Sequence, residues 1–294
     1  MRERIPMRVI VIGARGQLGA ELCTVYGDAD LIPVDIDTLD VRDAPAVANL
    51  MQSTRPRLVI NTAAAHNVAQ CQTDPDTAFA VNAAGARNVA AACARVSARL
   101  VYISTDYIFS GDRPGVPLVE DDLPGPRGVY AASKLAGEHL VAAESADHLI
   151  IRSAAMYGPA PCIAKGGRNF VSLMTHLAAT QPEVRVVNDQ ITTPTYAKSL
   201  AAQIKLAAEK APPGIYHATC HGECSWYEFA REIFDVLGIK TPLLPVSTED
   251  VPSTVQRPRY SVLQNKRLQD LHLDIMPHWK DALHEYVREH RPQS

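Results

Sequence analysis

Tyr130 and Lys134 lie four residues apart in the run Tyr-Ala-Ala-Ser-Lys, and Ser104-Thr105-Asp106 closes an apolar, strand-like segment upstream. Positions i and i+4 share one helix face, so this spacing brings an ammonium to the side of a phenol. A free phenol, with a pKa of about 10, holds its proton too tightly for efficient transfer near neutral pH. A fixed cation beside it favours phenolate and lowers that pKa. A hydroxyl from Thr105 would hold a carbonyl oxygen in line with the phenol. The chemistry implied is proton transfer to a ketone undergoing reduction.

Such a pair needs a cofactor platform, and residues 9 to 19 provide one. The run Val-Ile-Val-Ile breaks at Gly13, Gly16 and Gly19, and a helical pattern follows. In a strand–turn–helix unit the first glycine permits the tight turn. The second lets the backbone approach a pyrophosphate, and the third lets the helix pack on the strand. The helix N-terminus, with its unpaired N–H groups, favours the phosphates. A second strand, Leu31-Ile-Pro-Val-Asp35, places a carboxylate about twenty residues on, where it would accept from an adenosine ribose hydroxyl.

Further elements follow from the same alternation. Strands are expected over 8–12, 31–35, 57–61, 99–104 and 148–152, with helices near 17–26, 44–53, 76–96 and 130–144. Alternating strands and helices imply an α/β fold, a doubly wound parallel sheet of the Rossmann type covered on both faces. Between Asp112 and Gly128, four prolines and three glycines mark a loop at the carboxyl end of the sheet, where such folds bind ligands. Beyond residue 153 the pattern loosens into helices near 167–179, 195–209, 225–237 and 278–289. We expect a nucleotide-binding domain over 7–153 and a smaller, interleaved substrate region over 154–294, with 181–217 returning to the first domain.

Composition excludes several classes. The 294 residues carry a net charge of −3 and so offer no basic field for nucleic acid. No stretch reaches the apolar length of a membrane span, and the N-terminus does not read as a secretion signal. Six scattered cysteines suit reduced thiols in a cytoplasmic protein. His217, Cys220, His221 and Cys224 superficially resemble a zinc site, but an apparent strand and a short turn would aim them apart, so no metal centre is expected there. Ser225 instead reads as a helix N-cap, with Glu228 completing a capping box.

On its motifs the chain resembles an extended short-chain dehydrogenase/reductase of the dTDP-4-dehydrorhamnose reductase family. The supporting segments run in family order: Gly13-Ala-Arg-Gly-Gln-Leu-Gly19, Asn61-Thr-Ala-Ala-Ala65, Val81-Asn-Ala83, Ile103-Ser-Thr-Asp-Tyr-Ile-Phe109 and Tyr130-Ala-Ala-Ser-Lys-Leu-Ala-Gly-Glu138. Gly167-Arg-Asn-Phe170, Asp189-Gln190, Thr193-Pro-Thr195, Ser225-Trp-Tyr-Glu-Phe-Ala230 and Arg257-Pro-Arg-Tyr-Ser261 continue them. The resemblance implies hydride delivery from a nicotinamide to C4 of a 4-keto-6-deoxy sugar on a nucleoside diphosphate. Tyr130 would be the general acid, Lys134 would hold the nicotinamide ribose, and Thr105 would stabilise the oxyanion. Gly13, Arg15, Gly16, Gln17 and Leu18 would cradle the cofactor. Asp35, Asp40 and Val41 would flank its adenosine, and Ala63, Ala64 and Ala65 would pass beneath it. Asp106, Tyr107, Asn169, Gln190 and Arg257 are the expected substrate residues, the guanidinium of Arg257 suiting a diphosphate.

The chain departs from that family at several positions. In Arg152-Ser-Ala-Ala-Met-Tyr157 the family's usual tryptophan is Ala155, which leaves another nucleotide sugar, and a reductase or epimerase acting on it, as an alternative. Thr192 replaces a glycine, and Val68-Ala-Gln-Cys-Gln72 lacks the usual acidic residues. Some members bridge a dimer through magnesium and glutamates; Glu21 matches one such position and the others are not placed, so magnesium is left open as a cofactor, and the expected state is a monomer or homodimer. Asp35 favours NADH and Arg15 favours NADPH, and the reductive direction tips the expectation to NADPH. The same fold also serves a regulatory role in the β subunit of methionine adenosyltransferase. The joint survival of Thr105, Tyr130 and Lys134 favours an enzyme.

Overall fold

In the computed structural model, which describes residues 7–162, 166–251, 253 and 255–290, β1 (Arg8–Ile12) is buried on both faces. Successive side chains of a strand point to opposite sides. Val9 and Val11 accordingly join one core with Leu58, Ile60, Val101, Ile103, Leu149 and Ile151. Ile10 and Ile12 join another with Val59, Leu100, Tyr102 and Ile150. Each such side chain contributes roughly 1.5–3 kcal/mol relative to an exposed one. Uninterrupted apolar runs therefore signal a sheet covered on both sides.

The first half continues through α1 (Gln17–Val25), β2 (Asp30–Val34), α2 (Ala44–Thr54), β3 (Leu58–Asn61), α3 (Val68–Thr73), α4 (Pro75–Phe79), α5 (Ala86–Val96), β4 (Arg99–Thr105), α6 (Val129–Glu144) and β5 (His148–Ser153). There follow β6 (Met156–Tyr157), α7 (Phe170–Thr180), β7 (Val184–Val187), β8 (Ile191–Thr192), β9 (Thr195–Tyr196) and α8 (Ala197–Lys210). The chain ends with β10 (Gly214–His217), β11 (Cys224–Ser225), α9 (Trp226–Leu237), β12 (Leu243–Val246), α10 (Lys266–Asp270) and α11 (Trp279–Glu289).

Six strands form one parallel sheet in the order β10-β5-β4-β3-β1-β2. β2 and β3 lie on opposite sides of β1, so the winding reverses there. Ligands of doubly wound folds bind beyond the carboxyl ends of the strands at such a switch. In the second half, α8 packs on α1 and β10 extends the sheet beside β5. β7 pairs with β12 instead, and β6 with β9 and β8 with β11 form two further small pairs. No helix of the described residues is long and apolar enough to cross a membrane.

One expected helix is not continuous. Residues 76–96 split into the end of α4, a π-helical turn over Ala80–Gly85, and α5, while α3 is an additional helix just upstream. The wide turn carries the fully buried Asn82, whose side chain accepts from the Ala65 N–H at 2.9 Å and donates to the Ala65 carbonyl at 3.0 Å and the Ser133 hydroxyl at 3.0 Å. Buried polar groups need partners, and a regular helix is given up to supply them.

Candidate active site

The glycine loop has little room for side chains. Gly13 has φ +81°, and a β-carbon there would lie 2.5 Å from the Thr62 hydroxyl. A β-carbon at Gly19 would overlap the Gly13 carbonyl, so α1 packs directly on the turn. Gly16 is the N-cap of α1, and no side chain caps the first N–H groups of the helix. This is the cradle that a pyrophosphate requires. Leu18 is buried behind it, and Gln17 donates to the Gly158 carbonyl at 3.3 Å.

Asp35 follows β2 and meets the loop directly. Its carboxylate accepts from the Arg15 N–H at 2.8 Å and the Ile36 N–H at 2.9 Å. Partial burial raises its pKa, but these bonds and the Arg15 guanidinium outweigh that and hold it below the ordinary carboxylate range. Arg15 also reaches Asp37 at 2.7 Å. Asp40 is paired with Arg42, whose hydrogen bonds keep it ionised. Val41 is buried against Gly85, and its carbonyl accepts from Asn88. Ala63 and Ala64 are half-buried beyond β3, and Ala65 is tied to Asn82. All the expected cofactor residues outside α6 thus lie in the glycine turn with the start of α1, or in the segments beyond β2 and β3, and the donor set fits a dinucleotide.

At the carboxyl end of β4, the Thr105 hydroxyl donates to Asp106 Oδ1 at 3.1 Å, accepts from the Tyr107 N–H at 3.2 Å and stands within reach of the Tyr130 phenol. Tyr107 and Tyr130 pack edge to face, their centroids 6.1 Å apart. Burial pushes the Tyr130 phenol above the ordinary tyrosine range, the Thr105 hydrogen bond offsetting part of the rise. Lys134, which the i+4 spacing brings to the same helix face, is engaged elsewhere. Its ammonium donates to the Ile103 carbonyl at 2.6 Å and lies 4.0 Å from the Tyr102 ring centroid. A buried ammonium needs an acceptor, and that carbonyl provides one. Burial drives Lys134 down to about 7, against the field of Glu138.

Of the expected substrate residues, Tyr107 lines a narrow pocket with Tyr130, Val68, Phe109, Arg127, Gly128, Ala131, Val255, Gln256 and Pro258. Arg257 is exposed beside it and reaches the Tyr107 phenol. Asp106 is 2% exposed, with Oδ2 unpartnered. Burial raises its pKa to about 6, the Ser261 and Thr105 hydroxyls opposing. Phe109 also borders a larger open cavity of about 220 Å³ lined by Arg113, Asp122 and Tyr260. Asn169 and Gln190 stand differently. Asn169 caps α7 through Ser172 and donates to the Gly158 carbonyl and the Tyr286 hydroxyl, so its amide is already engaged within the protein. Gln190 is buried and donates to Thr248.

Three residues escaped the sequence reading. Asn82 and Ser133 tie the Ala65 turn to α6, and Asp37 holds Arg15. A polar Asn within an alanine-rich helix was the available signal for the first.

Other expectations resolve locally. His217 faces the Leu118 and Gln264 carbonyls, and burial keeps it neutral with a pKa of about 3. His221 lies 3.4 Å from Asp274, while burial raises Cys220 to about 12 and pushes Cys224 up as well. Ser225 and Glu228 form the capping box. Thr192 sits in β8 without positive φ, whereas Ala155 adopts φ +41° between β5 and β6. Glu21 is nearly buried, and the nearby charges include Lys198 and His290. The Lys198 ammonium already bridges Glu285 and Glu289 at 2.8 and 2.5 Å. Glu289 also lies near Glu21, but among the described residues no group of three or more His, Cys, Asp or Glu side chains is arranged to hold a metal ion, and no step is assigned to one.

Residues 7–291 match the family model described as the RmlD substrate binding domain. The chain is 41% identical to the spore coat polysaccharide biosynthesis protein SpsK of Bacillus subtilis, over 96% of this chain and 97% of that protein. It is 38% identical to a dTDP-4-dehydrorhamnose reductase of Streptomyces griseus, covering 95% and 92%. The crystal structure of the Bacillus anthracis dTDP-4-dehydrorhamnose reductase in complex with NADP superposes with a TM-score of 0.92 at 39% identity, covering 97% of this chain and 99% of that one. These likenesses and the fold define an NAD(P)H-dependent oxidoreductase with a Rossmann-type sheet. More narrowly, the chain belongs to the RmlD substrate binding domain family.

Proposed function

We propose that this enzyme reduces the C4 ketone of dTDP-4-dehydro-6-deoxy-L-mannose, giving dTDP-L-rhamnose. The observation that carries the reading is the meeting of Thr105, Tyr107 and Tyr130 at the carboxyl end of β4, with Arg257 at the pocket rim. A bound reduced nicotinamide, NADPH or NADH, supplies the hydride. Thr105 holds the ketone oxygen where negative charge develops. Tyr130, kept protonated by burial, then donates its proton to that oxygen, since an alkoxide is far more basic than a phenolate. Lys134 leaves the Ile103 carbonyl to hold the nicotinamide ribose. Arg257 pairs with the diphosphate, and Gly13 to Leu18 with Asp35 hold the dinucleotide.

The test is oxidation of NADPH, followed by absorbance, on addition of the dTDP-4-keto sugar. Tyr130→Phe should lower turnover by about 10²- to 10⁴-fold, the usual contribution of a general acid, while cofactor affinity stays within twofold. Unchanged turnover would remove Tyr130 from the mechanism. A second reading, reduction of another nucleotide sugar, is favoured by Ala155: the segment beyond β5 carries a methyl where the family usually places an indole. Oxidation by that other sugar alone would select this reading.

A further inference from the structure

Arg15 and the turn after β2 carry charges that the fold alone does not require. The guanidinium lies 2.7 Å from Asp37 Oδ1 and 3.5 Å from Asp35 Oδ1, so Asp37 is its nearer partner. Thr38 closes the turn, its N–H and hydroxyl both donating to the Asp35 carbonyl. That closure fixes both carboxylates on the side of the glycine loop. In doubly wound folds the residue in the place of Asp35 meets the adenosine ribose.

We infer that Asp37 is a specificity-determining residue that holds Arg15 away from a 2′-phosphate and so tilts the enzyme toward NADH. The inference rests on the nicotinamide-dinucleotide reading of the site. Two carboxylates face one guanidinium, which leaves one net negative charge where the 2′ group would sit. A 2′-hydroxyl donates to Asp35 without disturbing this arrangement. A 2′-phosphate carries nearly two negative charges near neutral pH. To bind it, Arg15 must exchange Asp37 for phosphate while Asp37 stays close by. Removing the Asp37 charge frees the guanidinium for the phosphate and removes a repulsion, without altering what a 2′-hydroxyl meets.

Both side chains are more than half exposed, at 56% for Arg15 and 59% for Asp37, so solvent screens the effect. Exposed ion pairs contribute up to about 1 kcal/mol, which corresponds to a change of about two- to fivefold.

The experiment is fluorescence titration of the purified full-length chain with NADH and with NADPH, repeated for Asp37→Asn, Asp37→Ser and Arg15→Ala, at low and high salt. Asp37→Asn and Asp37→Ser should tighten NADPH by about two- to fivefold and leave NADH within that margin. The gain should shrink in high salt and shrink further when Arg15→Ala is combined with Asp37→Asn, since only the relieved repulsion then remains. Equal changes for both cofactors, or no gain for NADPH in either Asp37 variant, would overturn the role of Asp37 and leave the nicotinamide reading standing. A parent chain that binds neither cofactor would overturn both.

Discussion

Arg257 is exposed and approaches the Tyr107 phenol at the rim of the pocket, which suits a contact made equally in the bound and transition states. Arg257→Ala should therefore raise KM by about tenfold, the equivalent of one charge-assisted hydrogen bond near the surface, and lower kcat by less. A fall in kcat at constant KM would assign Arg257 to the chemical step instead. Thr105, Tyr107, Tyr130 and Arg257, all candidates from the sequence, lie close together in the structure. Asn169 and Gln190 are candidates whose side chains meet partners inside the protein. A polar side chain advertises hydrogen-bonding capacity without saying who uses it: Asn169 spends its amide on Ser172, Gly158 and Tyr286, and Gln190 turns to Thr248. Lys134 shows the same principle. Its i+4 spacing gives the face of α6, yet burial of the ammonium selects the Ile103 carbonyl over the phenol.

The element that aligns these groups is α6, and its fit depends on Gly137. A β-carbon there would overlap the Asn82 carbonyl and the Tyr102 hydroxyl, which donates to that carbonyl at 2.9 Å. Alanine is the better helix former, by about 1 kcal/mol, but overpacking of this kind costs about 1–3 kcal/mol. Gly137→Ala should lower Tm by about 2–8 °C and reduce turnover, because Tyr130 and Lys134 ride on the displaced helix. A variant as stable and as active as the parent would mean that α6 and the π-helical turn yield freely. The positions of β1 to β5 were readable almost to the residue, because doubly buried strands such as Val9–Ile12 need continuous apolar runs. The π-helical turn was not readable. Local propensity across Ala80–Gly85 favours a plain helix, and only the distant partners Ala65 and Ser133 select the wider one.

For the molecule as a whole, the buried Lys134 ties stability to pH. Its side chain is held among Tyr102, Ile103 and Glu138, and Glu138 is itself clamped by Arg152 at 2.7 Å with both partners almost fully buried. Burial lowers the folded pKa to about 7, Glu138 only partly opposing, whereas an unfolded lysine holds its proton to about 10.4. Between those values the unfolded chain binds more protons, so stability rises with pH across that window and the penalty is greatest below about 7. Lys134→Met removes the charge while keeping the length of the side chain. Its Tm should exceed that of the parent by about 2–6 °C at pH 6.5, and the advantage should fade toward pH 9 as the parent lysine loses its proton. Turnover should be lost at every pH, and cofactor affinity, which in the parent weakens as pH rises through about 7, should become independent of pH. A melting difference that stays flat from pH 6.5 to 9 would show that Lys134 is charged to the same extent in both states. A pH-dependent difference would mark the buried ammonium as a group that the fold carries at a loss of stability because the reaction requires it.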